Sequence, residues 1–447
     1  MYGPMNQAIS LRAISETPHF TDEHVALAPQ RLLSLLQRPD GSTVRPMSVR
    51  ALAPRLTMAE KKRYLIDDND GLYDTLVDSS GRYLATLSAY EAFTLFSVWD
   101  LGLSGHSSIK PVARYLEPAR LKLYLDGFWH GPPGSDTLYL ISTHESSLLT
   151  PLSVLVHRVC MACPPKISLF AMLEIPVAVP YIFARIYQIP HTSRLVLQYD
   201  DDDENKHFWV WDFINHTVAA LTATDYKPAG KEMFLHYDDC IMAANEGCIR
   251  IYNIPPLVPR SAMKDPLQCK ANIIIAAPSD SPNSFFVGNN MAQIPPFYFS
   301  EVTSTRLTLF EVKSNAQCAD PQLPNKLPLT AGAVDVGDLA FLTRDQRFMS
   351  LNRCEDRLLL GSFSSSGSDS GDFLVFSAGV GEDFAGTEGA TLRKTIFSNP
   401  LCRLDIKRRQ FYPQLGRLCL HTRQRASYSR SIRNIYVLDY LASPELY

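Results

Sequence analysis

Short apolar runs, each closed by a polar residue, recur along this chain. Phe208-Trp209-Val210-Trp211-Asp212-Phe213 is the clearest. Before it lies a second apolar run, Arg194 to Tyr199, and between the two sits the polar turn Asp200 to Lys206. Runs of this length, rich in β-branched and aromatic residues and bounded by turn formers, predict strands. A run that is continuously apolar rather than alternating predicts burial on both faces. The pair therefore reads as a hairpin in a covered sheet.

Similar endings occur seven times: Phe96 to Leu101, Ser153 to Val159, Phe208 to Phe213, Cys248 to Ile254, Leu307 to Val312, Phe373 to Ala378 and Ile435 to Tyr440. Near the end of each, an apolar residue is followed by Asp100, His157, Asp212, Asn253, Glu311, Ser377 or Asp439. Strand-like runs precede them, such as Arg82 to Leu87, Leu138 to Ile141 and Arg417 to Leu420. The spacing of roughly 56 residues exceeds the 40–50 of regular propeller repeats, so inserted loops are expected. Small sheets with two apolar faces must stack to bury them, and a ring of sheets leaves few exposed edges. The predicted fold is all-β, a seven-bladed β-propeller over residues 60–442. A tail follows at 443–447. Six blades is the alternative count, and it would follow if Ser153 to Val159 lay outside the ring.

Residues 1–59 are weakly patterned and read as an N-terminal extension with one helix candidate, Pro29 to Leu36. Proline suits a first helical turn, and Leu32, Leu33, Leu35 and Leu36 make an apolar face. Docking of this helix on its own chain is the favoured reading, partner binding the other.

Composition narrows the class. The chain has 447 residues and a formal net charge of −3, so no overall basic footprint for nucleic acid is expected. Nine cysteines, an odd number, do not form the paired framework of a small secreted domain and suggest a reducing compartment. The N-terminal stretch lacks the basic start and apolar core of a secretory signal. Ile167 to Phe183 is broken by Glu174, Pro176 and Pro180, and falls short of a membrane span. The expected setting is cytoplasmic or nuclear, with neither membrane nor nucleic acid as partner.

Candidate chemistry is sparse. Cys160 and Cys163 form a CxxC, with His157 as the only nearby extra ligand and no second pair at zinc-site spacing. The acid run Asp200 to Glu204 lacks the spaced ligands of a calcium loop and reads as a solvated hairpin tip. An acid after a strand, such as Asp212, is first a turn acceptor for following backbone N–H groups. No catalytic, cofactor-binding or metal residue is assigned, and no cofactor is expected.

The segments Asp70 to Asp74, Ser79-Ser80-Gly81-Arg82-Tyr83-Leu84, Glu246 to Leu257, Gly416 to Cys419 and Ile435 to Leu441 resemble the WD40-like propeller region of fungal, mushroom-type F-box proteins. Gly105-His106, shortly after Trp99-Asp100, is similar to the paired signatures of WD repeats. The resemblance implies a substrate-capturing propeller, and in that family an F-box docks a ubiquitin-ligase scaffold. No F-box pattern is recognisable here. The expectation is a non-catalytic protein-interaction platform related to ubiquitin-ligase adaptors, with other proteins as partners. The candidate contact loops are Gly102 to Lys110, Asp200 to Lys206, Ser364 to Gly371 and Thr422 to Arg433. The alternative is an enzyme, hydrolase or oxidoreductase, with a site in the propeller's central channel.

Overall fold

The computed structural model describes residues 30–441 except for connecting segments. The longer of these are 53–58, 63–71, 90–92, 103–110, 118–121, 132–136, 146–150, 176–184, 202–204, 227–232, 277–284, 289–296, 315–325, 336–349, 364–371, 380–392, 402–405 and 424–431.

A helix at 30–36 opens the described chain and buries Leu32, Leu33 and Leu36. Two short strands follow, β1 (Ser42–Val44) and β2 (Ser48–Leu52). From there the chain repeats one motif, an antiparallel meander of four strands. The first comprises β3 (Leu72–Val77), β4 (Tyr83–Ala89), β5 (Thr94–Asp100) and β6 (Pro111–Glu117). The second comprises β7 (Lys122–His130), β8 (Thr137–Glu145), β9 (Ser153–Cys160) and β10 (Lys166–Glu174). The third comprises β11 (Arg185–Gln188), β12 (Arg194–Asp200), β13 (Lys206–Asp212) and β14 (Thr217–Ala223).

The fourth takes β15 (Met233–His236), β16 (Cys240–Asn245) and β17 (Cys248–Asn253), then two excursions before its last strand. These excursions, β18 (Val258–Pro259) and β19 (Leu267–Cys269), pair back onto β14, and β20 (Ile273–Ala276) completes the fourth sheet. The fifth comprises β21 (Phe285–Gly288), β22 (Phe297–Val302), β23 (Arg306–Ser314) and β24 (Lys326–Asp335). The sixth comprises β25 (Ser350–Cys354), β26 (Arg357–Phe363), β27 (Phe373–Gly379) and β28 (Arg393–Phe397), with β1 added at the β28 edge. Last come β29 (Ile406–Tyr412), β30 (Arg417–Arg423) and β31 (Ile432–Asp439). Their fourth strand is β2, which pairs with β31 along its whole length from Ser48 opposite Asp439 to Leu52 opposite Ile435.

All seven apolar endings are strands, and each is the third of its group. Hydrogen-bonded sheets nevertheless number six among the described residues, where seven were expected. The reason is one residue pair, Leu72 opposite Ile432, which joins the first and last groups into an eight-stranded sheet. Ser153–Cys160 does not fall outside the series; it sits in its own four-stranded sheet.

Residues cluster into two compact units, one of Met1–Leu35, Val44–Ile182 and Asn399–Tyr447, the other of Leu36–Thr43 and Phe183–Ser398. Within the first, Phe96 and Val98 of one sheet pack with Leu125, Leu140 and Leu155 of the next. Within the second, Val196, Phe208 and Val210 meet Phe234, Ile241 and Tyr252, whose sheet packs its other face on Phe299 and Phe310. Sheets stacked face to face bury both sides of their middle strands. That is why β13 is buried at every position but His207. Each such aromatic or aliphatic side chain contributes about 1.5–3 kcal/mol.

Candidate functional site

Among the described residues, two polar clusters bear on the candidate chemistry. The larger lies in the first unit, where β2 meets β31. Asp439 closes β31 and is buried; its carboxylate accepts from Arg417 Nε at 2.6 Å, Arg50 at 2.7 Å and the Ser48 hydroxyl at 3.1 Å. Burial alone would raise its pKa, but the two guanidiniums hold it below the usual carboxylate range. The Arg417 guanidinium also donates to the carbonyls of Gly81 at 2.8 Å and Gly102 at 2.9 Å. Arg50 reaches the Leu101 carbonyl at 2.5 Å. One buried acid thus ties β2 and β30 to β31, and its arginines hold the turns flanking β4 and β5.

Local sequence makes this possible. Gly81 precedes Arg82, just ahead of β4, and Gly416 precedes Arg417, which begins β30; both glycines have positive φ, +77° and +55°. A Cβ on Gly81 would come 2.7 Å from the Tyr412 ring, so glycine is required there twice over. Arg82, which follows it, pairs with Asp100 at 2.9 Å, and Asp100 also accepts from the Gly102 N–H. Beside this pair, Asp78 is fully buried and accepts from the Ser80 and Tyr83 N–H groups, the Ser80 hydroxyl and His130 Nε2 at 2.9 Å. Burial opposes its ionisation, yet these donors hold its pKa below the usual value. Cys419, enclosed next to the cluster, has its thiol pushed up to about 12 by burial and is no nucleophile at neutral pH.

The second cluster is the β12–β13 hairpin tip in the other unit. Asp200 pairs with the buried Lys206. Asp201 accepts from the Asn205 N–H at 2.8 Å and from His207 Nε2 at 2.8 Å, while His207 Nδ1 lies 2.9 Å from the Thr222 hydroxyl. Tyr199 stacks on the imidazole, centroids 4.8 Å apart. An acid, imidazole and hydroxyl in line have the composition of a hydrolase relay, but the Thr222 side chain is only 2% exposed. No substrate atom reaches it, and the arrangement braces the tip. The acid run is therefore not simply solvated: its first two members are bound internally, and 202–204 lie outside the described residues.

Other expectations resolve as follows. Asp212 is a turn acceptor, taking the Ile214 and Asn215 N–H groups at 3.1 and 3.0 Å and the Ser193 hydroxyl at 2.8 Å. His157 does not join Cys160: they alternate across β9, and His157 is buried between Phe96 and Tyr115, at 4.7 and 5.4 Å. Cys163 and His106 lie outside the described residues, as do most of the four candidate loops. Among the described residues no three His, Cys, Asp or Glu side chains are grouped to hold a metal ion. Nor is any helix there long and apolar enough to cross a membrane. Sequence reasoning found the acids at strand ends but missed their arginines. The glycine–arginine pairs Gly81-Arg82 and Gly416-Arg417, each at the start of a second strand's hairpin, were the available signal.

No protein-family model matches the sequence, and neither does any curated protein. Among solved structures, the β-propeller domain of Cps50 (Swd1) from Myceliophteria thermophila is 11% identical, covering 83% of this chain and 98% of its own, with a TM-score of 0.39. The WD40 domain of SCAP from fission yeast is 9% identical, covering 83% and 82%, with a TM-score of 0.40. The WD40 domain of Toxoplasma gondii coronin is 10% identical, covering 91% and 90%, with a TM-score of 0.37. The fold is a WD40-type β-propeller. It is built of antiparallel meanders that follow one another in chain order, in six hydrogen-bonded sheets among the described residues.

Proposed function

We propose that this propeller is a non-catalytic protein-interaction platform, with seven blades once the eight-stranded sheet is divided at its single Leu72–Ile432 pair. The proposed propeller, residues 60–442, also takes in β1 and β2 from the preceding segment. One observation supports the reading above others. The polar clusters among the described residues are consumed in holding strands and turns together, which leaves the loops between strands as the variable surface.

The narrower proposal is a substrate-recognition module related to F-box ubiquitin-ligase adaptors, acting in the cytoplasm or nucleus. The segments that carry that resemblance include Ser80, Gly81, Arg82, Gly416 and Arg417. In the structure these are strand-clasping residues, so they support a shared architecture more than a shared partner.

Affinity capture from native cells, read by mass spectrometry, tests both levels. The comparison is the full chain against a form starting at residue 30, because starting at 60 would delete β2 and Arg50. Ligase scaffold subunits recovered only with the full chain support the adaptor. Partners shared by both forms, without scaffold subunits, support the platform alone. Specific partners with neither form contradict both.

A further inference from the structure

Two buried side-chain atoms in the first unit stand apart from the satisfied clusters described above. His157 Nε2 and Glu117 Oε2 lie 3.9 Å apart, too far to bond, and neither has a hydrogen-bond partner. The imidazole is wholly buried, while the Glu117 side chain is 20% exposed. Burial pushes His157 down to about 4, so at neutral pH the ring is uncharged and one of its nitrogens is an acceptor. The Leu140 carbonyl beside the ring is an acceptor as well, and so is the carboxylate oxygen. The site is short of a donor, which a buried polar group ordinarily has.

Register shows what surrounds it. On β6, Tyr115 lies opposite Phe96 and Glu117 opposite Thr94, so Phe96, Tyr115 and Glu117 share one face of their sheet. On β10, Leu169 lies opposite His157, Met172 opposite Leu155 and Glu174 opposite Ser153, so these share one face of the next sheet. The two faces meet where His157 packs on Phe96 and Tyr115. Among the described residues β6 and β10 each end their sheet, and Leu169 and Met172 are 44% and 49% exposed. Leu169 is the cross-strand neighbour of His157, which brings the protein surface to about 5 Å from the imidazole. Arg114, opposite Ser97, and Arg158 and Lys166, opposite Ser168 and Cys160, fall on the other faces. The charged residues of the facing sides of β6, β9 and β10 are thus Glu117 and Glu174, both acids.

From this geometry we propose that the cleft between β6 and β10 receives a lysine side chain of a partner protein. The inference rests on the interaction-platform reading and names its partner chemistry. An ammonium carries three N–H donors and no acceptor, enough to serve Oε2 and the ring nitrogen together. Its charge complements Glu117, and the aromatic rings of Phe96 and Tyr115 favour a cation. Leu169 and Met172 suit the apolar stem of lysine, which lies along such surfaces while its head finds polar partners. The Tyr115 hydroxyl already bonds the Glu117 carboxylate, leaving one oxygen, whereas the planar fork of arginine is matched to two.

The test is nuclear magnetic resonance of the full chain with carbon-13-labelled imidazoles, titrated near neutral pH with a Gly-Leu-Lys-Leu-Ser-Gly peptide and its norleucine and arginine counterparts. The resonance lost in His157→Phe identifies the site. The lysine peptide should shift that resonance saturably and bind about tenfold more tightly than the norleucine peptide, which keeps the stem and lacks the charge. Glu117→Gln, at a partly exposed position and close in shape, should weaken the lysine peptide about tenfold. Leu267→Ala on β19 should leave it unchanged. The contrast of lysine with norleucine needs no variant, so it stands if Glu117→Gln fails to fold.

No shift of the His157 resonance with the lysine peptide overturns the proposal. Equal binding of the norleucine peptide also overturns it, making the cleft a purely apolar groove, and tighter binding of the arginine peptide overturns the choice of lysine. Binding of n-hexylammonium as tight as that of the peptide assigns the cleft to a small amine and removes the partner protein. In affinity capture, partners recovered equally by Glu117→Gln sink this inference while leaving the platform reading intact.

Discussion

Asp439 is a carboxylate with almost no access to water and two guanidiniums upon it, so each partner's removal leaves a charge stranded. Arg417→Met should cost about 3–5 kcal/mol, as expected when one member of a buried pair is deleted. Arg82→Met should cost less, about 1–3 kcal/mol, because Arg82 is buried but its partner Asp100 is partly solvated. Urea-denaturation midpoints of the two variants check the contrast; equal losses would mean that burial does not set the difference. Two histidines make a separate prediction. Burial pushes His157 down to about 4, with Glu117 no closer than 3.9 Å, and His236 down to about 3. Unfolded, each titrates near 6.5, so below that pH the unfolded chain binds the extra protons. Stability should be full above pH ~6.5 and fall toward pH ~4, by roughly 2–3 kcal/mol per histidine. Asp78 and Asp439 act later: their contribution is present above the unfolded carboxylate value near 3.9 and is lost only below it. Thermal melts from neutral pH to pH ~5 should therefore fall steadily, and His157→Phe should flatten the slope.

At the scale of the element, the middle strands were legible and the edge strand was not. Phe208 to Phe213 reads as a strand because both its faces are covered, and the seven endings share that environment. Ser48-Val49-Arg50-Ala51-Leu52 gives no such signal. Its inward positions are Ser48 and Arg50, polar residues justified only by Asp439, some 390 places away in sequence. Likewise Asp100, Asp212 and Asp439 could be read as turn acceptors, but His157, at the equivalent repeat position, is a core residue. The turn that begins β4 carries its own prediction. Gly81→Ala forces a side chain into positive φ and against Tyr412, which should cost about 2–4 kcal/mol from strain and overpacking together. A melting temperature within a degree of the parent would contradict that geometry.

For the whole molecule, the repeat of four-stranded sheets followed from the sequence pattern, whereas the sheet count did not. Leu72 and Ile432 merge the first and last groups through a contact between residues 360 positions apart. The most direct test of the account is whether β2 belongs to the sheet of β31, since that pairing sets Arg50 on Asp439. Hydrogen–deuterium exchange of the intact chain reads it. Peptides spanning Ser48–Leu52 should exchange as slowly as those spanning Ile435–Asp439, and Arg50→Ala should speed both. Rapid exchange across 48–52 beside a protected β31 would show that β2 and β31 are not joined, and the clasp would have to be abandoned.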